Sequence, residues 1–164
     1  MSGSLGAREC ERKMPDEAAE RESLKDEMRN ILEEARMVIP GIQALFGFQT
    51  MAVFNQRFEE LPHSAVTVYL LGLGLIALSI ALLMTPAAYH RIAERGQVSR
   101  KMIVLASRLI TAGLVPVMFG IALDIYVVCM AAVQDGRLGI AGALAALCVF
   151  TLLWFAYPLA CRRR

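Results

Sequence analysis

Asp124 lies inside a long apolar run, with no other charged residue within eight positions on either side. A charge inside an apolar span is costly unless it is paired or hydrated, so it marks a candidate working group. Arg57 is the natural partner to consider. If the helices that carry them start level at Val38 and Met102, a rise of 1.5 Å per residue puts Arg57 about 30 Å along and Asp124 about 33 Å along. An Arg57–Asp124 ion pair would lower the cost of burying either charge, and removing one partner would then hurt more than removing both. The competing chemistry is transport, with Asp124 taking up a proton or a cation as part of a cycle. The pair is the more economical of the two, and they are not exclusive.

A polar stripe extends the same argument. Arg36, Gln43, Thr50 and Arg57 recur every seven residues, with Gln49 and Gln56 one position behind. On a helix this spacing keeps one side polar along its whole length, and polar groups at that depth face protein or water. The stripe could line an ion or solute path. Its amides could equally hydrogen-bond to neighbouring helices, which is the commoner use of amides in membranes. Arg108, about two turns into the third apolar run, is expected to snorkel to the inner headgroups; pairing with Glu94 or Glu34 is the alternative.

Elements long enough to position these groups are plain in the sequence. The 164 residues have a mean hydropathy of +0.51, and ten of the fifteen acidic residues precede Ala35, which separates a polar head from an apolar body. Four apolar segments, about 38–57, 64–86, 102–133 and 138–160, approach or exceed the roughly 20 residues that cross a bilayer. Continuous runs such as 70–84, LLGLGLIALSIALLM, favour helices over the short alternating strands of a barrel. The predicted architecture is therefore all-α: an integral membrane bundle of four transmembrane helices, preceded by a polar disordered tail over 1–15 and a cytoplasmic amphipathic helix over 16–37. A basic cytoplasmic tail over 161–164 closes the chain.

Positive charge sets the orientation. The head holds seven Lys or Arg, the 87–101 connection holds Arg91, Arg95, Arg100 and Lys101, and the sequence ends on three arginines. The other two connections hold only Arg57 and Arg137, so both termini are expected in the cytoplasm. Tyr89, Trp154 and Tyr157 suit an aromatic belt at the inner boundary. The third run exceeds one bilayer crossing and contains Pro116, which predicts a tilt, a kink or a projecting end. Gly72, Gly74, Ala77, Ala81, Gly113, Gly120, Gly139, Gly142, Ala143 and Ala146 allow helices to approach closely, within one bundle or between subunits.

In the head, Leu24, Met28, Ile31, Ala35, Val38, Ile42 and Leu45 alternate steps of four and three without a break of phase. Such a seam could join subunits as a coiled coil. An amphipathic helix resting on the inner leaflet or on its own chain fits the short repeat better. Pro40 and Gly41 fall where this helix would enter the bilayer and could bend it. The absence of a basic start followed by an apolar core argues against a cleaved signal peptide. The four cysteines, at 10, 129, 148 and 161, show no metal-ligand spacing, so neither disulfide nor metal is expected. Cys161 beside the terminal arginines is a minor candidate for palmitoylation.

Several segments together resemble a known family: Glu34, Arg36, Gly41, Gln43, Leu45, Phe46 and Phe48; then Phe54, Arg57, Phe58 and Leu61; then Thr85-Pro86-Ala87-Ala88-Tyr89-His90-Arg91. The chain resembles, over about residues 24–160, an uncharacterised family of small bacterial four-span membrane proteins, a domain of unknown function. Some members carry a sodium:proton antiporter label. The resemblance implies location and topology, and it singles out Tyr89, His90 and Arg91 at the inner mouth. There His90 could relay protons and Arg91 could hold an anionic lipid, although interfacial anchoring is the simpler role.

No phosphate-binding glycine loop, HExxH, GxSxG or paired-carboxylate arrangement is present, so no enzyme activity and no cofactor is expected. The head's ten acids outnumber its seven basic residues, which argues against a nucleic-acid arm. The sequence thus predicts a multi-pass protein of the bacterial inner membrane, oligomeric, whose partners are the bilayer, copies of itself and anionic lipid at the cytoplasmic rim. Its predicted activity is ion-translocating or proton-coupled transport. Asp124, Arg57, Gln43, Gln49 and Thr50 form the candidate pathway, with Arg36, Tyr89, His90, Arg91 and Arg108 at its inner mouth. The other class is a non-transporting structural or regulatory membrane protein that binds protein partners or anionic lipid through its cytoplasmic face.

Overall fold

The computed structural model describes the backbone of residues 3–93 and 99–162, and the side chains of these apart from 3–19, 21, 57 and 93. Residues 94–98 of the basic connection lie outside this description, as do Met1, Ser2 and the last two arginines of the basic tail. The alternative pairing of Arg108 with Glu94 falls there too. The described residues are all-α, with no strand among them. Helix α1 runs Gly3–Ala52, α2 is the short Gln56–Glu59, α3 is His63–Ala93, α4 is Arg100–Val133 and α5 is Gly136–Thr151. A π-helical turn over Leu152–Ala156 then leads into α6, Tyr157–Arg162.

Three stretches are long and apolar enough to cross a membrane: His63–Ile92, Arg100–Val133 and Gly136–Arg162. The fourth expected crossing, 38–57, is not among them; its residues 38–52 are the last part of α1, where Gln43, Gln49 and Thr50 interrupt the apolar sequence. That helix stops at Ala52, and the chain turns through Phe54 N–H to the Met51 carbonyl and Asn55 N–H to the Ala52 carbonyl. Val53 and Asn55 are weak helix formers, which fits the break. Arg57 therefore sits in α2, off the helix that carries Arg36, Gln43 and Thr50. At the other end, α1 is helical from Gly3, so the expected tail, amphipathic helix and first crossing share one helix about 75 Å long.

The heptad seam of α1 is used within the chain. Met28, Ala35, Ile42 and Gln49, each seven residues after the last, are buried. Met28 packs with Met102, Ile103 and Ala106 at the start of α4, with Leu24, Ile31 and Leu32 around them. Higher up, Ile42 joins Ile76 and Leu83 of α3 and Val117 of α4. α4 thus projects beyond one bilayer thickness: its 34 residues span about 51 Å, and its first turns serve as the platform for Met28.

α3 and α4 form the most extensive contact, with α1 against both and α5 against α4. Glycines make the close approach possible. A Cβ on Gly120 would lie 2.6 Å from Ile76 Cδ1, and one on Gly139 would lie 2.9 Å from the Tyr126 ring. Gly74, by contrast, has open space around it and faces outward. The buried Ser79 hydroxyl donates to the Gly113 carbonyl at 2.8 Å, joining α3 to α4 one turn before Pro116. Pro158 has no N–H to give, and the wider π turn just before it accommodates the missing bond and the ring. Trp154 in that turn packs against the Ile42 and Leu83 cluster, while Tyr157 and Tyr89 stay exposed.

Candidate functional site

Asp124 sits on α4 opposite the last turn of α1. Gln49 Nε2 donates to both carboxylate oxygens, at 2.6 Å each. Room for the carboxylate comes from Gly72 on α3, where a Cβ would approach Asp124 Oδ1 to 3.3 Å. Gln49 itself is held from behind: the Tyr69 hydroxyl donates to the Gln49 main-chain carbonyl, and Phe58 stands edge-on to Tyr69 with ring centroids 4.9 Å apart. Three helices thus converge on one amide and one carboxylate. The remaining amide atom, Gln49 Oε1, is buried without a hydrogen-bond partner among the described residues.

Asp124, Gln49 and Tyr69 line a cavity of about 340 Å³ at the end of the bundle that carries the α1–α3 connection. Its other walls are largely apolar, with Phe48, Phe58, Leu61 and Val127 among them. A carboxylate in such a wall can take a proton or a small cation, since the apolar surroundings offer little competing solvation. The amide suits both protonation states. Its NH₂ donates to a carboxylate, and its carbonyl oxygen, after a half-turn of the amide, accepts from a carboxylic acid.

The sequence-predicted residues divide by position. Asp124 and Gln49 are brought together. Gln43 and Thr50 are exposed on α1 and line no part of this cavity; the Thr50 hydroxyl donates to the Phe46 carbonyl. The Arg57 side chain lies outside the described residues; among those described, the partner of Asp124 is the Gln49 amide. Arg36, His90 and Arg91 line a second cleft, of about 610 Å³, between α1 and α3 at the opposite end. Tyr89 and Arg108 are exposed outside it.

Residues 16–158 match the family of unknown function DUF6328. The chain belongs to that family. No curated protein and no solved structure matches it. The DUF6328 match runs from within α1 to α6, so the Asp124 cavity and the α1–α3 cleft both fall inside it. Tyr69 was not singled out by sequence reasoning, and Gly72 only as a site of close helix approach. Their signal was spacing: Ala65, Tyr69, Gly72, Ile76, Ser79, Leu83 and Pro86 are the buried positions of α3, and they alternate steps of four and three.

Proposed function

We propose that this DUF6328 protein is a small ion-translocating or proton-coupled transport protein of the bacterial inner membrane, in which Asp124 is the group that takes up and releases the cation or proton. The reading places both termini in the cytoplasm, uses the distal half of α1 as a fourth crossing and assembles the chain as an oligomer. One observation carries it: the sole acidic residue within the three long apolar stretches opens on a cavity while an amide with a spare acceptor holds it. Gln49 would follow the change of state, and Tyr69 would keep α1 fixed while it does.

Proton, sodium and potassium flux into proteoliposomes tests this, with wild type beside Asp124→Asn and Gln49→Leu. Flux in wild type that disappears in Asp124→Asn, with the variant still folded, is the expected result. Equal flux in folded Asp124→Asn, or none in wild type, rejects the reading. The second reading is a non-transporting structural or regulatory protein that binds protein partners or anionic lipid through its cytoplasmic face, and the α1–α3 cleft favours it.

A further inference from the structure

We propose that the α1–α3 cleft is a binding site for one anionic phospholipid, with the lipid phosphate between Arg36, His90 and Arg91 and the start of an acyl chain along Ile39, Leu83 and Met84. The inference is independent of whether Asp124 carries an ion. The cleft holds about 610 Å³, within the size range of small-molecule sites. Its chemistry is graded along the helix axis. Leu83, Met84 and Ala87 line one end and His90 and Arg91 the other, so apolar gives way to cationic over eight residues of α3, about 12 Å. That is the order in which a phospholipid presents its parts.

Charge complementarity identifies the headgroup. Neither Arg36 nor Arg91 forms an ion pair among the described residues, and His90 Nδ1 is buried without a hydrogen-bond partner. An adjoining cleft of about 410 Å³ shares Leu32, Arg36 and His90 and adds Lys25 and Arg29, so the cationic rim continues along α1. Glu33 is the acid on that rim, and Arg29 Nε holds it at 3.2 Å. Two arginines with no acidic partner among the described residues, beside a shielded imidazole nitrogen, suit phosphate oxygens, which accept from all three. The apolar wall distinguishes a lipid from a soluble phosphate, since inorganic phosphate would leave Met84 and Ile39 uncovered.

The test is native mass spectrometry of the full chain, extracted from vesicles of phosphatidylcholine mixed with phosphatidylglycerol. Wild type should retain phosphatidylglycerol in preference to phosphatidylcholine, at one per chain. Arg36→Gln/Arg91→Gln should lower that preference roughly 30-fold, five- to sixfold per arginine. Ala87→Phe, which fills the cleft and leaves every charge in place, should also lose the lipid. Arg137→Gln, at the far end of the bundle, should keep it. Retention unchanged in both the double variant and Ala87→Phe overturns the site. So does equal retention of the two lipids by wild type, or displacement of bound lipid by inorganic phosphate at matched concentration, which would make the ligand a soluble phosphate.

Discussion

Deleting the Gln49 amide should cost more than deleting Gln49 and Asp124 together. In Gln49→Leu the carboxylate keeps its place beside Gly72 but loses both 2.6 Å contacts. Hydrogen bonds to a charged group contribute about 1.5–3 kcal/mol, whereas neutral bonds between membrane helices average about 0.6 and reach about 1.7. Asp124 is only half-buried, which argues against the 3–5 kcal/mol of a fully enclosed broken pair. The expected loss in Gln49→Leu is therefore about 2–3 kcal/mol. Gln49→Leu/Asp124→Ala should recover enough for a coupling of about 1.5–3 kcal/mol, measured in a four-member cycle. Unfolding in mixed micelles with rising SDS can be followed by Trp154, the one tryptophan, which packs against the core cluster shared by α1, α3 and α4. Acidification that protonates Asp124 should bring the coupling down towards the neutral value. Additive losses at neutral pH, within about 0.5 kcal/mol, would refute the idea that Gln49 solvates a charged Asp124.

Two further perturbations examine the frame around the site. Gly120→Ala sets a Cβ 2.6 and 2.8 Å from two carbons of the fully buried Ile76; overpacking of about 1–3 kcal/mol should exceed the roughly 1 kcal/mol gained in helix propensity, and Ile76→Ala should relieve it, as read in the same SDS titration. Met28→Ala opens the α1–α4 platform at a cost of about 2–5 kcal/mol, so trypsin should cut faster at Lys25 and Arg29 while the three long apolar stretches stay protected.

The positions of the long apolar helices and the Met28, Ala35 and Ile42 line of the α1 seam were legible because hydropathy and heptad spacing are properties of the chain itself; Val38, which the spacing puts on that seam, is exposed. The facing of α3 was harder to read. Leu70, Leu71 and Leu78 point outward, while Tyr69, Gly72 and Ser79 point inward. In lipid the apolar residue no longer marks the interior, and small or polar residues do. Gln49 was grouped with an exposed stripe because Gln43 and Thr50 lie near it in sequence, yet it shares the phase of Met28, Ala35 and Ile42. Charge and depth along two helices point to Arg57 as a partner of Asp124, and neither signal marks an amide nearby such as Gln49. The end of α1 at Ala52, which removes Arg57 from the stripe, follows from a local turn that periodicity does not carry.

Burial at Met28, Ala35, Ile42 and Gln49 has a geometric corollary. A straight α-helix drifts about 20° per heptad from a strict seven-residue repeat, so three heptads would turn Gln49 about 60° away from the face that Met28 presents. A left-handed winding of α1 around α3 and α4 cancels that drift and keeps all four inward. The azimuth of the Gln49 amide is then fixed by where the other end of the same helix is seated, and a change of winding at the Met28 platform would rotate that amide against the Asp124 carboxylate without moving either helix along its axis.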